Sequence, residues 1–185
     1  MSIAATIATS GLEAGTWEID PSHSSVEFSV RHMMFSKVKG RFGAFRGTIV
    51  VGEDPADSSV EATVEVASID TGDEQRDAHL RGADFFDVER YPEMTFVSRS
   101  VRQDGDRYVV AGDLTLHGVT RPVELNLELN GIGTDPYGRT KAGFSATTEL
   151  SRKEFGLEWN VALDTGGVLV GDKVQVSLEI QASRQ

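Results

Sequence analysis

Hydrophobic and polar residues alternate with a period of two in one segment of the chain after another. The most regular segment is 123–130, in which Val123, Leu125, Leu127 and Leu129 are separated by Glu or Asn. Because successive side chains of a β-strand point to opposite faces, this alternation predicts strands with one buried and one exposed face. Seven further strands and a short ninth candidate follow from the same pattern. They are 26–34, 60–66, 142–150 and 174–180, the less regular Lys39–Val51, Met94–Val101 and Arg107–His117, and the short Trp17–Ile19.

Turn-forming residues separate neighbouring strands, as at Asp104-Gly105, Asn130-Gly131 and 135–138. Short turns between alternating strands are typical of antiparallel hairpins. An open sheet of eight such strands would leave one apolar face in water. The pattern therefore predicts an all-β protein whose sheet closes into a barrel or folds into a sandwich.

One segment, about residues 71–90, is predicted to be helical. The sequence Thr71-Gly72-Asp73-Glu74 fits a capping box with Thr71 as the N-cap and Glu74 at the third helical position. Residues 75–81 contain no strong helix breaker, and Gly82 is a suitable residue for the helix end. Asp84 is expected to cap a second short turn that runs through Val88 and stops before Pro92.

The length of 185 residues predicts one domain, assigned to residues 16–185, after a flexible N-terminal tail at Met1–Gly15. The first basic residue is Arg31, so the N-terminal residues do not resemble a secretory signal and a cytoplasmic location is expected.

The net charge of −11 argues against binding to nucleic acid and against electrostatic adsorption to anionic lipid. The absence of cysteine excludes disulfides and thiolate chemistry. No apolar run approaches the length of a membrane span.

Two Asp-Thr-Gly triplets, beginning at Asp70 and Asp164, are the sharpest enzymatic signal, because aspartic proteases use two close aspartates. The chain is far too short for a two-lobed protease of that kind, and Asp-Thr-Gly is also a common turn sequence. Gly171-Asp172-Lys173 lacks the Ser or Thr that follows the lysine of a phosphate loop. The chain is therefore predicted not to be an enzyme. The alternative left open is a hydrolase or other enzyme for a small apolar substrate, using His32 or the Asp70/Asp164 pair.

The four histidines, His23, His32, His79 and His117, are widely separated, and no two have the helical spacing of a metal site. Neither a metal nor a cofactor is predicted. His32 differs from the others because it shares the apolar face of its strand with Val30. It is interpreted either as a hydrogen-bonded core residue or as a polar group that contacts a ligand inside a cavity.

Three long stretches resemble a known family. The first is WEIDPSHSSVEFSVRHMM at residues 17–34, continued by VKGRF at 38–42. The second combines RDAHLR at 76–81, DFFD at 84–87 and YPEMTF at 91–96, and the third is DLTLHGVTRPV at 113–123. These stretches are similar to those of the YceI-like family of bacterial polyisoprenoid-binding proteins. The resemblance extends from about Trp17 to the C terminus.

This resemblance implies a lipocalin-like, eight-stranded antiparallel β-barrel with a short helix. It also implies an elongated apolar tunnel that binds a long amphiphile, such as a polyisoprenoid, an isoprenoid quinone or a fatty-acid-like lipid. The protein is then expected to carry or sequester that lipid without inserting stably into a membrane. A homodimer through strand edges is a further expectation from the family. The alternative to lipid binding and to catalysis is a non-catalytic interaction module.

The candidate ligand-binding residues are the inward members of the alternating strands together with two phenylalanines of the helical segment. Phe42 and Phe45 can both point inward only if the chain bends at Gly43. Three arginines are candidates for contact with an anionic head group. The full set is Phe28, Val30, His32, Phe42, Phe45, Phe85, Phe86, Phe96, Leu114, Leu127, Phe144 and Val176, with Arg41, Arg76 and Arg81 for the head group.

Overall fold

Alternating strands form nearly all of the regular structure in the part of the chain that is described. The structure is a computed structural model, and it describes residues 12–185. The helix in this range is α1 (Glu74–Arg81). The strands are β1 (Gly15–Ile19), β2 (Ser25–His32), β3 (Ser36–Phe42), β4 (Phe45–Val51), β5 (Ser59–Glu65), β6 (Ile69–Asp70), β7 (Glu93–Asp104), β8 (Arg107–Leu116), β9 (Val119–Thr134), β10 (Thr140–Ser151) and β11 (Val170–Arg184).

The sheet closes on itself as an antiparallel barrel. Its ring runs β1-β4-β5-β7-β8-β9-β10-β11, and β11 returns to β1. Trp17 of β1 lies opposite Ile49 on one side and opposite Arg184 on the other. β2 continues along β11 beyond β1, with Phe28 opposite Val176, and β3 pairs with β2. The eight-stranded closed barrel implied by the family resemblance is therefore confirmed.

The alternation of residue types explains which face each strand turns inward. In β10, Ala142, Phe144 and Ala146 are buried, whereas Thr147 and Glu149 are exposed. The same rule holds along β9 and β11, where apolar residues face the interior and polar residues face water. Each strand thus buries its apolar face inside the ring and hydrates the other, as expected for an antiparallel sheet wetted on one side.

The predicted strand Lys39–Val51 is split in two by a break at Gly43 and Ala44. β3 ends at Phe42 and β4 begins at Phe45, so the alternation restarts after the break. The amide of Gly43 donates instead to the carbonyl of Ser68, at 3.3 Å. This is the bend required for Phe42 and Phe45 to share the inner face. β6, which pairs with Arg41 and Phe42 of β3, has too few residues to show a periodic pattern.

The start of the helix differs from the prediction. Asp73, not Thr71, is the N-cap, and its carboxylate accepts a hydrogen bond from the amide of Arg76 at 3.0 Å. Thr71 donates its amide and hydroxyl to the buried carboxylate of Asp77, which holds the residues before the helix in place. Gly82 ends the helix as expected. Among residues 12–185, no helix is long and apolar enough to cross a membrane.

The predicted second helical turn after Asp84 is also wrong in detail. Residues 83–91 form a series of hydrogen-bonded turns rather than helix. The amides of Phe86 and Val88 donate back to the carbonyls of Leu80 and Arg81, so the chain folds over the end of α1. A competing hydrogen-bond pattern onto the helix end therefore replaces the expected cap.

Residues 1–11 of the predicted tail Met1–Gly15 lie outside the described part of the chain. The remainder contacts the barrel. Gly15 belongs to β1, and the carbonyl of Ala14 accepts a hydrogen bond from Arg184 at 3.1 Å. The indole of Trp17 donates to the carbonyl of Glu13 at 3.0 Å. Trp17 is completely buried, so the strand that closes the ring is held by side-chain packing as well as by its two backbone ladders.

The substitution Trp17→Ala is expected to lower the free energy of unfolding by about 3–5 kcal/mol, because it leaves a large hole beside the closing strand. Thr16→Ala, on the exposed face of the same strand, is the matched control and is expected to change that energy by less than about 0.5 kcal/mol. Denaturant unfolding followed by circular dichroism measures both. Equal losses in the two variants would show that backbone pairing alone holds β1.

Candidate functional site

The interior of the barrel contains a cavity of about 280 Å³. Its wall consists almost entirely of carbon atoms from inward-facing side chains around the ring. Val170 and Ile180, near opposite ends of β11, both line it, so the cavity extends along the barrel. Its volume is near the lower end of the range for small-molecule sites, which begins at roughly 300 Å³.

Several inward side chains stay partly exposed although they face the centre of the barrel. Phe28, Val30 and Val176 belong to this group, whereas Phe96 and Phe144 are less than a tenth exposed. Side chains of a solid core pack tightly and leave little accessible surface. Val60, Leu127 and Leu150, on other strands of the ring, are partly buried as well. Incomplete burial around the ring therefore shows that the interior is not fully packed.

Gly40 gives Phe28 its position on this wall. The two residues are cross-strand partners on β2 and β3, and a Cβ atom at Gly40 would overlap the Phe28 ring. The ring lies over the glycine and stacks at a tilt on Phe42, with 5.5 Å between ring centroids. An aromatic ring over a cross-strand glycine covers backbone that would otherwise be open to the cavity.

The structure brings eleven of the twelve candidate ligand-binding residues together on the cavity wall. His32 lies outside this set. As the last residue of β2, it is paired with Ser36 and Val170 at the end of the hairpin. The residues on the wall are Phe28, Val30, Phe42, Phe45, Phe85, Phe86, Phe96, Leu114, Leu127, Phe144 and Val176.

The three head-group candidates lie away from the cavity wall. Arg41 is on the outer face and forms an ion pair with Asp70 at 3.5 Å. Arg76 donates to the hydroxyl and the carbonyl of Thr71, both at 2.7 Å. Arg81 donates to the carbonyls of Ala67 and Ile69 at 3.0 and 3.2 Å, and so ties α1 to the chain before it.

Arg152 is a wall residue that the sequence did not reveal. It is only 5% exposed, and its guanidinium donates to the carbonyls of Leu157, Gly171, Trp159 and Val170 at 2.6, 2.8, 3.0 and 3.1 Å. Burial lowers the pKa of this guanidinium, and the nearby Asp172 carboxylate opposes that effect. An arginine within Ser-Arg-Lys-Glu resembles an ordinary solvated charge, so no sequence pattern marks its role.

The Asp172 carboxylate holds the start of the same loop. The Ser151 hydroxyl donates one hydrogen bond that the two carboxylate oxygens share, at 2.7 and 2.9 Å, and the Lys153 amide donates another at 3.1 Å. Burial alone would raise the pKa of Asp172, but these hydrogen bonds and the neighbouring lysines outweigh it, and the pKa lies below its ordinary value. The charged carboxylate therefore stabilises the folded loop.

Three aromatic rings join α1 to this loop at one end of the cavity. His79 packs edge-on against Phe85 and Trp159, with centroid distances of 5.1 and 4.9 Å, and Phe85 and Trp159 are 5.2 Å apart. His79 Nε2 lies 2.8 Å from a carboxylate oxygen of Asp84. Because Phe85 also lines the cavity, this cluster forms part of the cover over that end.

The residues of the enzyme alternative occupy separate places. Asp70 accepts a hydrogen bond from the Gly72 amide and pairs with Arg41 on the outer face. Asp164 is exposed in a turn closed by Leu163 and Gly167. Within residues 12–185, no group of three or more His, Asp or Glu side chains has the arrangement of a metal site.

A closed antiparallel barrel around an apolar cavity defines a barrel-type binding protein. Residues 17–182 match the YceI-like domain, and the chain belongs to that family. The UPF0312 protein plu2095 of Photorhabdus laumondii is 43% identical over 142 residues, covering 76% of this chain and 74% of that protein. Protein YceI of Escherichia coli O157:H7 is 42% identical over 148 residues, or 78% of each chain. These matches confirm the resemblance inferred from the sequence motifs.

Solved structures share the barrel. BcnA of Burkholderia cenocepacia superposes with a TM-score of 0.74 at 27% identity, over 88% of this chain and 98% of that one. A YCEI protein of Campylobacter jejuni gives 0.70 at 28% identity, over 84% and 90%. A polyisoprenoid binding domain from Saccharophagus degradans has the same fold, with a TM-score of 0.66 at 16% identity over 94% of this chain and all of that one.

The substitution Arg152→Met is expected to lower the free energy of unfolding by roughly 3 kcal/mol, because four carbonyl oxygens lose their donor in a buried place. Arg152→Lys keeps the charge but has one nitrogen instead of a planar fork, so we expect it to recover only part of the loss. Denaturant unfolding measures both variants. A loss below about 0.5 kcal/mol for Arg152→Met would contradict this role of the guanidinium.

The pH dependence of stability tests the Asp172 carboxylate. Its pKa is lowered in the folded state, so its contribution is present above the unfolded pKa of about 4 and is lost as the pH falls through the folded value. Asp172→Asn is expected to lower the free energy of unfolding by about 1 kcal/mol at neutral pH, with a smaller difference near pH 3 or below. Asp164→Asn, in the exposed turn, is the control. A difference between Asp172→Asn and the wild type that does not change with pH would refute the interpretation.

Proposed function

We propose that this protein binds a long amphiphilic lipid of the isoprenoid type in the barrel cavity and carries or sequesters it. The observation that carries the proposal is a carbon-walled cavity along the barrel whose inward side chains are incompletely packed. Burying ten CH₂-sized groups there contributes roughly 8 kcal/mol. Ordering of the flexible ligand offsets part of that gain.

The comparisons support the same class of ligand. The chain belongs to the YceI-like family. The domain from Saccharophagus degradans that shares its fold is a polyisoprenoid binding domain. An acyclic hydrocarbon chain is bound by apolar contact alone, so an apolar cavity inside the barrel is a physical basis for such binding. The comparisons support the class of ligand, whereas the identity of the head group and the length of the lipid are proposed.

The head group is best accommodated at the end covered by α1 and the loop after Arg152. Arg152 places a buried positive charge on the wall there, and its four hydrogen bonds to carbonyls leave that charge uncompensated by a direct carboxylate bond. A buried cation attracts an anionic or strongly dipolar head group more effectively than an exposed one. Arg41, Arg76 and Arg81 contact other groups and do not line this cavity.

Binding without catalysis is part of the proposal, and the chemistry of the wall supports it. The described residues that line the cavity include no His, Asp or Ser, and their one carboxylate residue, Glu27, is exposed on the outward face of β2. General acid–base catalysis needs a titratable group within hydrogen-bond reach of the reacting atom. The polar residues instead cover the outer surface, where Glu61, Glu65 and Glu124 are exposed. A hydrated acidic shell around an apolar interior suits a protein that keeps a lipid out of water.

Organic extraction of the purified protein, followed by mass spectrometry, is the primary test. The expected result is an amphiphile with a long hydrocarbon chain, present in a fixed ratio to the protein. Protein expressed without a lipid source and then mixed with a polyisoprenyl probe is expected to bind it in the same ratio. Failure to recover an amphiphile in the first experiment and failure to bind the probe in the second would together refute the proposal.

Two neighbouring threonines of β10 provide a matched pair of variants. Thr148 lines the cavity, whereas Thr147 is exposed on the outer face of the same strand. Thr148→Phe is expected to weaken binding of the polyisoprenyl probe by roughly tenfold or more, because the ring takes up cavity volume. Thr147→Phe adds the same ring outside and is expected to bind as the wild type does. Equal binding by both variants would place the ligand outside the barrel.

A further inference from the structure

The β2–β3 hairpin ends in three consecutive exposed apolar residues. Met33, Met34 and Phe35, here called the apolar tip, are 38%, 55% and 76% exposed. Other exposed large apolar residues, such as Val97 and Tyr137, are isolated on separate strands or turns. Scattered apolar residues are normal on a protein surface, but a contiguous apolar group marks an interaction site.

The backbone of the apolar tip makes this choice of residues unusual. Met33 and Met34 have φ angles of 53° and 69°, in the left-handed region. Turns with positive φ at successive positions normally use glycine or asparagine, because other side chains are strained there. Two methionines in these positions are unfavourable for the turn itself. Met34 lies against Gly167, yet more than half of its surface stays exposed, so it is available for contacts outside the fold.

A basic surface adjoins the apolar tip. Arg31, Lys37 and Lys39 lie on the outward face of β2 and β3, and all three are exposed. Arg31 lies directly opposite Lys37 in the ladder, an arrangement of like charges that destabilises a sheet. The positive charge of this cluster is opposite in sign to the net charge of the whole chain, which is −11. Because salt screens charges beyond about 8 Å, the local cluster determines what meets the tip.

The apolar tip is also next to one end of the cavity. Val30 and Val170 line the cavity, and His32, two residues beyond Val30, is paired with Val170. The amide of Met33 donates to the carbonyl of Leu169 at 2.8 Å. The tip thus extends from the wall at the end where Arg152 and Trp159 hold the covering loop.

We propose that the apolar tip docks on the surface of an anionic lipid bilayer. Met34 and Phe35 enter the boundary between head groups and acyl chains, while Arg31, Lys37 and Lys39 contact lipid phosphates. Apolar side chains flanked by Lys and Arg are the combination that binds at such an interface. Docking in this orientation brings the covered end of the cavity to the bilayer, where a lipid enters or leaves.

A second copy of the chain is a poorer occupant of the same surface. Two tips packed against each other would bring the two sets of Arg31, Lys37 and Lys39 together, and like charges repel. Elsewhere on the described surface, exposed large apolar residues such as Val50, Val97 and Tyr137 are isolated and offer no matching apolar group. An anionic bilayer matches both the apolar and the basic part of the tip.

Co-sedimentation of the full chain with lipid vesicles tests the proposal. The vesicles contain phosphatidylcholine alone or phosphatidylcholine with a quarter of phosphatidylglycerol. The wild type is expected to bind the anionic vesicles, to bind neutral vesicles less, and to be released by high salt. Lys37→Gln with Lys39→Gln is expected to weaken binding roughly 30-fold, since each basic residue near the surface contributes about 1 kcal/mol. Met34→Ser with Phe35→Ser is expected to weaken it by roughly tenfold or more.

Matched controls lie away from the apolar tip, on β7 and at the β9–β10 turn. Arg99→Gln with Arg102→Gln removes two exposed charges from β7, and Tyr137→Ser removes an exposed ring at the β9–β10 turn. Both are expected to bind vesicles as the wild type does. Phe35→Trp adds a reporter whose emission is expected to be quenched by brominated acyl chains.

Three outcomes would overturn the docking proposal. In the first, the wild type does not bind anionic vesicles. In the second, the tip variants and the control variants weaken vesicle binding equally. In the third, the protein forms a dimer that does not bind vesicles, and Met34→Ser with Phe35→Ser dissociates that dimer. The last would assign the tip to a second copy. Docking on a bilayer is a separate proposal from lipid binding in the cavity, and different variants test the two. Thr148→Phe is expected to keep vesicle binding, whereas the tip variants are expected to keep binding of the polyisoprenyl probe in detergent solution.

Discussion

β1 pairs with β4 on one side and with β11 on the other, and this double pairing turns a curved sheet into a closed barrel. Closure sets the distance between opposite walls, because the hydrogen-bond ladders fix both strand number and strand spacing. Apolar side chains such as Phe28 and Val176 cannot collapse onto the opposite wall without breaking those ladders. Backbone hydrogen bonding thus sets the width of the interior, and the inward side chains do not fill it.

The end of the barrel depends on a different kind of interaction. There the chain leaves the regular ladder, and the loop after β10 is held by the Arg152 guanidinium on four carbonyl oxygens and by the contact of Trp159 with His79 and Phe85. Such a cover rests on a few side chains, whereas the wall rests on many cooperative backbone bonds. Local opening costs less free energy where fewer bonds must break. The structure therefore combines a wall of backbone ladders with a cover held by a few side chains, an arrangement that suits exchange of the lipid proposed to bind there.

Charge is distributed over the surface in two ways that serve this arrangement. Outward glutamates follow one strand after another and often lie beside arginine, as Glu124 does beside Arg102 and Glu128 beside Arg107, at 3.6 and 2.8 Å. Each exposed pair contributes little to stability, yet together they keep the outer face hydrated. The net charge of −11 describes that shell and hides the basic surface beside the apolar tip. The net charge of the whole chain argued against contact with anionic lipid, whereas the local basic surface beside the apolar tip favours such contact.

By itself, the sequence determined the strands, their inward and outward faces and the bend at Gly43, because these follow from the period-two alternation and from local turn chemistry. Closure of the sheet followed from the same alternation with the family resemblance, and eleven of the twelve candidate residues chosen on that basis and from the helical segment lie on the cavity wall. Only the tertiary structure decided the rest. Asp73 replaces Thr71 as the cap because Thr71 bonds to Asp77. Arg152 becomes a wall residue because four carbonyls, two from the loop that follows it and two from the start of β11, surround its guanidinium. His32 leaves the wall because its strand ends there. These outcomes depend on which of several available hydrogen-bond partners the folded chain brings within reach, and the order of residues does not select among them.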